Sequence, residues 1–463
     1  MDLIIKNGTL ITASDIFSGD VVINEGKIVE VTPAFTGEAE RIINATGRYV
    51  FPGFIDVHTH LELPINAQIS SRDDFYTGTV AAAFGGTTSI VDFIVPYPDQ
   101  KLIEALELWN SKACDKAIID YGFHMTISTP KDEIIKDIPL LAERGVTSIK
   151  CFTAYLGKYM MTDDMLFKTF EFCKNAEIFP TMHCENGFLL DLLIKRFLTE
   201  GKMAPVYHPQ TRPPFLEAES IGRAIEIAHY IDLPVYIAHL STAEGLYKIK
   251  KARDKSWQVY TETCPQYLFL DDTVFQSGEL EASKYICSPP IRSIDNLEPL
   301  WKGLFDGDIE VFATDHCPFD LEKDRKPNLA DFTKIPNGLP GIEDRVNLLF
   351  SEGVIKRGLD LKRFISLVST SPAQLFGMYP QKGTLFAGSD ADIVIYDPHK
   401  EWVISAKDHH QNVDYNVYEG KKVTGKPDIV ISRGEVIIEN DQLNANKGRG
   451  KFIHRTKSCI YDV

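Results

Sequence analysis

Between Tyr49 and about Tyr379 the chain keeps changing period: short runs rich in Val and Ile give way to longer stretches whose apolar residues recur at helical spacing. TSIVDFIV precedes KLIEALELWNSKACDKA and IIDYGFHMTI, and later VTSIKCF precedes MLFKTFEFCKNA. The alternation predicts a parallel α/β barrel, with a helix covering the sheet after each strand. A span of about 330 residues suits a (β/α)8, or TIM, barrel with long loops.

The two ends read differently. From Leu3 to about Ile43 the apolar runs are short and punctuated by turn residues, in LIIKNG, GDVVINEGKIVEVTP and ERIINATG. These are strands and hairpins. The same texture returns after about Lys382, in GTLFAGSDADIVIYDP and PDIVISRGEVIIEND. The expectation is one small β-sandwich domain built from residues 1–50 and 382–450, a catalytic barrel over 51–381, and a C-terminal tail over 451–463. A chain of 463 residues has room for a large domain with such a satellite.

Composition mainly excludes. With 49 basic against 65 acidic residues the formal net charge is -16, which repels phosphate backbones and anionic membranes, so neither nucleic acid nor membrane is an expected partner. The opening MDLIIKNGTL meets a glycine and a threonine too early for a signal peptide, and no run approaches ~18 apolar residues. Eight scattered cysteines read as buried free thiols of a reducing compartment, which makes the expected location cytoplasmic.

The segment with most chemistry is PGFIDVHTH, residues 52–60. Side chains two apart on a strand share a face, so His58 and His60 can converge on one cation from the strand's end. An isolated HxH is equally well two histidines satisfied by neighbours. Here metal-ligand types recur at the ends of later apolar runs: His183 in FPTMHCENG, His239 in VYIAHLS and Asp315 in EVFATDHCPF. A (β/α)8 barrel opens all its strand ends on one face, where such residues meet.

Lys150 ends GVTSIKCFTAY, with no carboxylate beside it in sequence. A lone ammonium on the inner face of a barrel strand is costly to desolvate. Four neutral imidazoles and one carboxylate also leave two divalent cations poorly neutralised. An amine carboxylated by carbon dioxide would supply a second anion able to bridge them, and Lys150 is the candidate.

PGFIDVHTH, AAAFGGTTSIVDF, SIKCFTAY, HCENG, TETCPQYL, CSPPIR and IPNG follow an order and spacing that resembles cyclic amidohydrolases of the D-hydantoinase and dihydropyrimidinase type, over essentially the whole chain. The resemblance implies hydrolysis of the cyclic amide bond of hydantoins or dihydropyrimidines to N-carbamoyl amino acids. It implies two divalent ions, zinc first, with manganese or cobalt suited to the same ligands. Their ligands would be His58, His60, Lys150 as N6-carboxylysine, His183, His239 and Asp315. A hydroxide bridging the ions would attack, and Asp315 would carry its proton to the departing ring nitrogen. Tyr155 would stabilise the oxyanion. Ser288 and Asn337 would hold the ring through main-chain groups, although Ser-Pro-Pro and Pro-Asn-Gly are also ordinary turn formers. Such relatives form dimers or tetramers, often with the tail, here KGRGKFIHR, reaching a neighbour.

Two alternatives stay open: an allantoinase, which would prefer a small polar substituent, and a non-catalytic scaffold like the collapsin-response mediator proteins, which lack the complete metal set. Dihydroorotases typically carry an arginine two residues after the HxH; here that position is Glu62, expected to repel an anionic substrate. Leu63, Ile65, Leu156, Tyr159, Met160 and Met161 are expected at the barrel mouth, either contacting an apolar ring substituent or packing the loops down. Leu156 replaces a lysine common in relatives, and Cys184 replaces an alanine, which leaves stereochemical preference open.

Overall fold

A computed structural model describes residues 1–66, 68–128 and 130–462. The first strands are β1 (Leu3–Ile11), β2 (Ile16–Asn24), β3 (Lys27–Thr32), β4 (Arg41–Asn44) and β5 (Tyr49–Pro52). Eight further strands follow, each short and nearly all buried: β6 (Phe54–Thr59), β7 (Thr87–Ile94), β8 (Asp120–Thr126), β9 (Ser148–Phe152), β10 (Phe179–His183), β11 (Val235–Ile237), β12 (Val259–Thr263) and β13 (Val311–Phe312). The chain closes with β14 (Ile393–Val403), β15 (Lys422–Ser432), β16 (Glu435–Glu439) and β17 (Gln442–Leu443).

Strands β6 to β13 form one parallel sheet in sequence order. A parallel bridge from Thr59 to His316 joins its two edges, so the sheet closes as the expected barrel. All eight residues of β7 are buried, as a strand packed on both faces requires. Below the seam, buried Arg345 donates to the carbonyls of Ile55 and Phe312, at 3.0 and 2.5 Å. Gly86 turns into β7 with φ +84°, and a Cβ there would stand 2.8 Å from the Phe54 ring. That turn therefore needs glycine.

The other strands make one nine-stranded sheet in the order β17-β16-β15-β14-β5-β1-β2-β3, with β4 on β1. It is antiparallel except where β1 meets β4 and β5. Both termini contribute, and the sheet curls until the β2–β3 turn meets the β15–β16 turn, where Gly434 approaches Gly26. An apolar core of Ile5, Val21, Ile23, Val50, Ile393 and Ile431 fills the curl. Buried Lys382 joins this sheet to the barrel floor, reaching Asp120 at 2.6 Å, Asp392 at 2.7 Å and Asp390 at 2.9 Å.

The tail runs along its own barrel: Phe452 bridges Tyr121 in parallel, and Arg455 donates to the carbonyl of Phe123 under the barrel. One expectation changes. Six cysteines are buried, but Cys114, just past the helix Leu102–Ala113, and Cys459, in the last turn, lie at the surface. No helix among the described residues is long and apolar enough to cross a membrane.

Candidate active site

The C-terminal ends of the barrel strands surround a cavity of about 630 Å³, within the range of small-molecule sites. It is lined by every residue singled out above for chemistry: His58, His60, Lys150, Tyr155, His183, His239, Ser288, Asp315 and Asn337. His58 and His60 both bring Nε2 to 3.2 Å from Asp315 Oδ1. Across the cavity, His183 Nδ1 stands 3.0 Å from His239 Nε2.

Lys150 lies between these pairs. Its Nζ is 5.0 Å from the Phe93 ring, against which His58 and His60 pack, and 5.6 Å from the Phe152 ring, against which His183 stacks. It is buried and has no hydrogen-bond partner among the described residues. Burial pulls the amine below its ordinary pKa, against the opposing pull of Glu262 and Asp315. His60 and His239 are likewise held down by burial. His58 is the exception: burial opposes its charge, yet Glu262 and Asp315 carry it up to about 9.

Supporting contacts fix which nitrogen faces the cavity. Glu262 Oε1 accepts from His58 Nδ1 and, at 3.0 Å, from the main-chain N–H of His239, while its Oε2 accepts from Tyr236 at 2.8 Å. One buried carboxylate therefore orients a histidine of each pair. Glu185, held by Arg212 at 2.6 Å, takes His183 Nε2 at 2.9 Å and leaves Nδ1 pointing inward. Asp73 takes His316 Nε2 at 2.9 Å beside Asp315. Sequence reasoning missed all three carboxylates: Glu262 and Asp73 meet histidines more than 200 residues away, and Glu185, only two residues from His183, is turned onto it by Arg212 from a distant loop. TETCPQYL and HCENG, which contain Glu262 and Glu185, were the available signals.

Backbone strain collects here. Tyr155, His239 and Asp315 adopt φ of +66°, +38° and +56°. Left-handed conformations cost a non-glycine residue about 1–3 kcal/mol each and persist where the surroundings enforce them. Burial also pushes the Tyr155 phenol up, keeping it a neutral donor. Ser288 Oγ donates to Asn337 Oδ1 at 3.0 Å, which joins the two ring-binding candidates.

The donor set suits divalent cations. Four imidazoles, three of them buried and His60 half-buried, converge with a carboxylate, and the ring nitrogens of His183 and His239 face one another with only one proton position between them. The Lys150 nitrogen adds a buried polar atom that the described residues leave unsatisfied.

At the rim, Leu63, Ile65 and Tyr159 line the cavity as expected. Leu156 is exposed, Met161 is buried in the core, and Met160 lines an adjoining groove. Glu62 requires a correction: at φ +51° it turns onto Lys116, 2.6 Å away, and does not line the cavity. Its charge is paired elsewhere and repels nothing in the site; only the lack of an arginine at that position stands.

Comparison with known proteins agrees with this geometry. The amidohydrolase family model matches residues 49–437. A D-hydantoinase of Geobacillus stearothermophilus is 44% identical over 99% of this chain and 97% of its own length. A D-phenylhydantoinase of Escherichia coli O9:H4 (strain HS) is 39% identical over 98% of both. The crystal structure of a dihydropyrimidinase from Brevibacillus agri NCHU1002 superposes with a TM-score of 0.97 at 44% identity, covering 99% of both chains. The chain belongs to the amidohydrolase family, in its D-hydantoinase and dihydropyrimidinase branch.

Proposed function

We propose that this enzyme opens the cyclic amide of hydantoins and dihydropyrimidines to give N-carbamoyl amino acids, and that it needs two divalent cations. The observation that carries the reading is the pairing of donors around Lys150: His58, His60 and Asp315 on one side, His183 and His239 on the other. Lys150 would serve both sides as a carbamate. Its neutral amine attacks carbon dioxide, a nitrogen–carbon bond forms, one C=O electron pair moves to oxygen, and an amine proton leaves to solvent. Bound cations, held by these donors, would supply Lewis acidity, polarising the ring carbonyl and lowering the pKa of a water molecule.

The chain's own groups do the rest. Asp315, whose Oδ1 lies 3.2 Å from the Nε2 of both His58 and His60, takes the proton of the attacking water and returns it to the ring nitrogen as the amide C–N bond breaks. Tyr155, neutral and aimed into the cavity, donates to the oxygen that becomes negative in the tetrahedral state. The main chain around Ser288 and Asn337 pairs with the N–H and C=O edges of a cyclic diamide. Leu63, Ile65, Ile69 and Val95 give the cavity an apolar wall for a ring substituent. A complete donor set argues against a non-catalytic scaffold.

A substrate panel at matched metal loading tests this: hydantoin, 5-phenylhydantoin, dihydrouracil and allantoin. Turnover of the first three above allantoin is expected. Allantoin as the preferred substrate, or no turnover of any, overturns the reading.

A further inference from the structure

Four cavity-lining residues carry a buried polar atom with no hydrogen-bond partner among the described residues: the Nδ1 of His60 and of His239, Lys150 Nζ and Thr126 Oγ1, and the last two stand on neighbouring strands. Thr126 ends β8, and it is paired in parallel register with Lys150 of β9. Side chains in register on adjacent strands project to the same face, so the hydroxyl and the lysine stem emerge side by side. On the other flank, Thr181 of β10 is also in register with Lys150, but its hydroxyl donates to the Ile149 carbonyl at 2.9 Å. Of the two hydroxyls flanking Lys150, only that of Thr126 is uncommitted.

A buried hydroxyl without a partner destabilises the fold, and so does a buried amine. Carboxylation of Lys150 places carbamate oxygens next to Lys150 Nζ, within reach of a hydroxyl on the adjacent stem. One added group then satisfies both orphans. We propose that Thr126 is a positioning residue for the Lys150 carbamate: its hydroxyl donates to a carbamate oxygen, slows loss of carbon dioxide and fixes the plane of the anion between the two donor pairs. This rests on the carbamate reading above and goes beyond it by naming the group that holds the modification. Nothing else on β8 competes for the role, because His124 is committed to Ser148 at 2.6 Å and to the Val57 carbonyl at 2.9 Å.

The test is carbon-13 NMR of the zinc-loaded enzyme equilibrated with carbon-13 bicarbonate, followed by transfer to unlabelled buffer. Wild type should show a carbamate resonance that decays slowly. Thr126→Val keeps the shape without the hydroxyl and should lose the label on the order of tenfold faster, as expected for one hydrogen bond to a charged group. Thr126→Ser should restore the wild-type rate, which a purely packing role would not allow. Should the valine variant fold poorly by circular dichroism, Thr126→Ala against Thr126→Ser provides the same contrast. A resonance in wild type that decays equally fast with and without the hydroxyl overturns the role of Thr126 and leaves the carbamate standing. Absence of any resonance in wild type overturns the carbamate, and the role of Thr126 with it.

Discussion

Replacing Glu262 by glutamine should loosen the metal site without touching any group that faces the cavity. The carboxylate accepts three bonds, from His58 Nδ1, the His239 N–H and the Tyr236 hydroxyl. An amide oxygen at Oε1 can keep the first two, and the tyrosine hydroxyl can rotate to accept from the new NH2, which leaves its own O–H as the one donor without its former acceptor. What is lost is charge. A charge-assisted bond contributes roughly 1.5–3 kcal/mol and a neutral one roughly 0.5–1.5, so three bonds weaken by about 1 kcal/mol each. Of this total of about 3 kcal/mol, the part felt by His58 and His239 appears as metal affinity, a loss of about 10- to 100-fold for a group that orients ligands. Competition against a chelator measures it, and circular dichroism checks the fold. Tyr236→Phe removes only one of the three bonds and should cost less than about threefold. Wild-type metal affinity in Glu262→Gln would refute the reasoning, as would an equal loss in Tyr236→Phe.

Lys382→Met should destabilise the joint between sheet and barrel. It leaves Asp120, Asp390 and Asp392 buried, the last with only the Arg433 main-chain N–H at 2.7 Å, and breaking a buried ion pair on one side costs about 3–5 kcal/mol in a denaturant titration. Asp344 gives the pH dependence: burial, with Glu343 nearby, raises its carboxyl from 3.8 to about 7. Its protonated form favours the fold, so the contribution is full below the unfolded value and is lost as pH rises to about 7. Asp344→Asn should match wild type near pH 3.8 and gain up to roughly 4 kcal/mol above pH 7. A gain that does not change with pH would contradict this.

The barrel was legible because each strand is buried on both faces and so reads as a continuous apolar run, TSIVDFIV above all. Metal-ligand types at the ends of such runs were legible for the same reason: strand ends open on one face, and the structure brings His58, His60, Lys150, His183, His239 and Asp315 around one cavity. What failed to show was direction and long-range pairing. Glu62 turns away because its residue sits at φ +51°. Glu262 lies 204 residues from His58, too far for any local pattern. Met161 and Leu156 are five residues apart in one apolar-looking loop, yet one is buried and the other exposed. Periodicity carries no information on which way a loop closes.

The most direct measurement is an anomalous difference map from crystals of the zinc-loaded enzyme, collected at the metal edge. The account predicts two peaks, one beside His58 and His60 and one beside His183 and His239, joined by branched density extending from Lys150 Nζ. A single peak or none, with an unmodified side chain at Lys150, would contradict it.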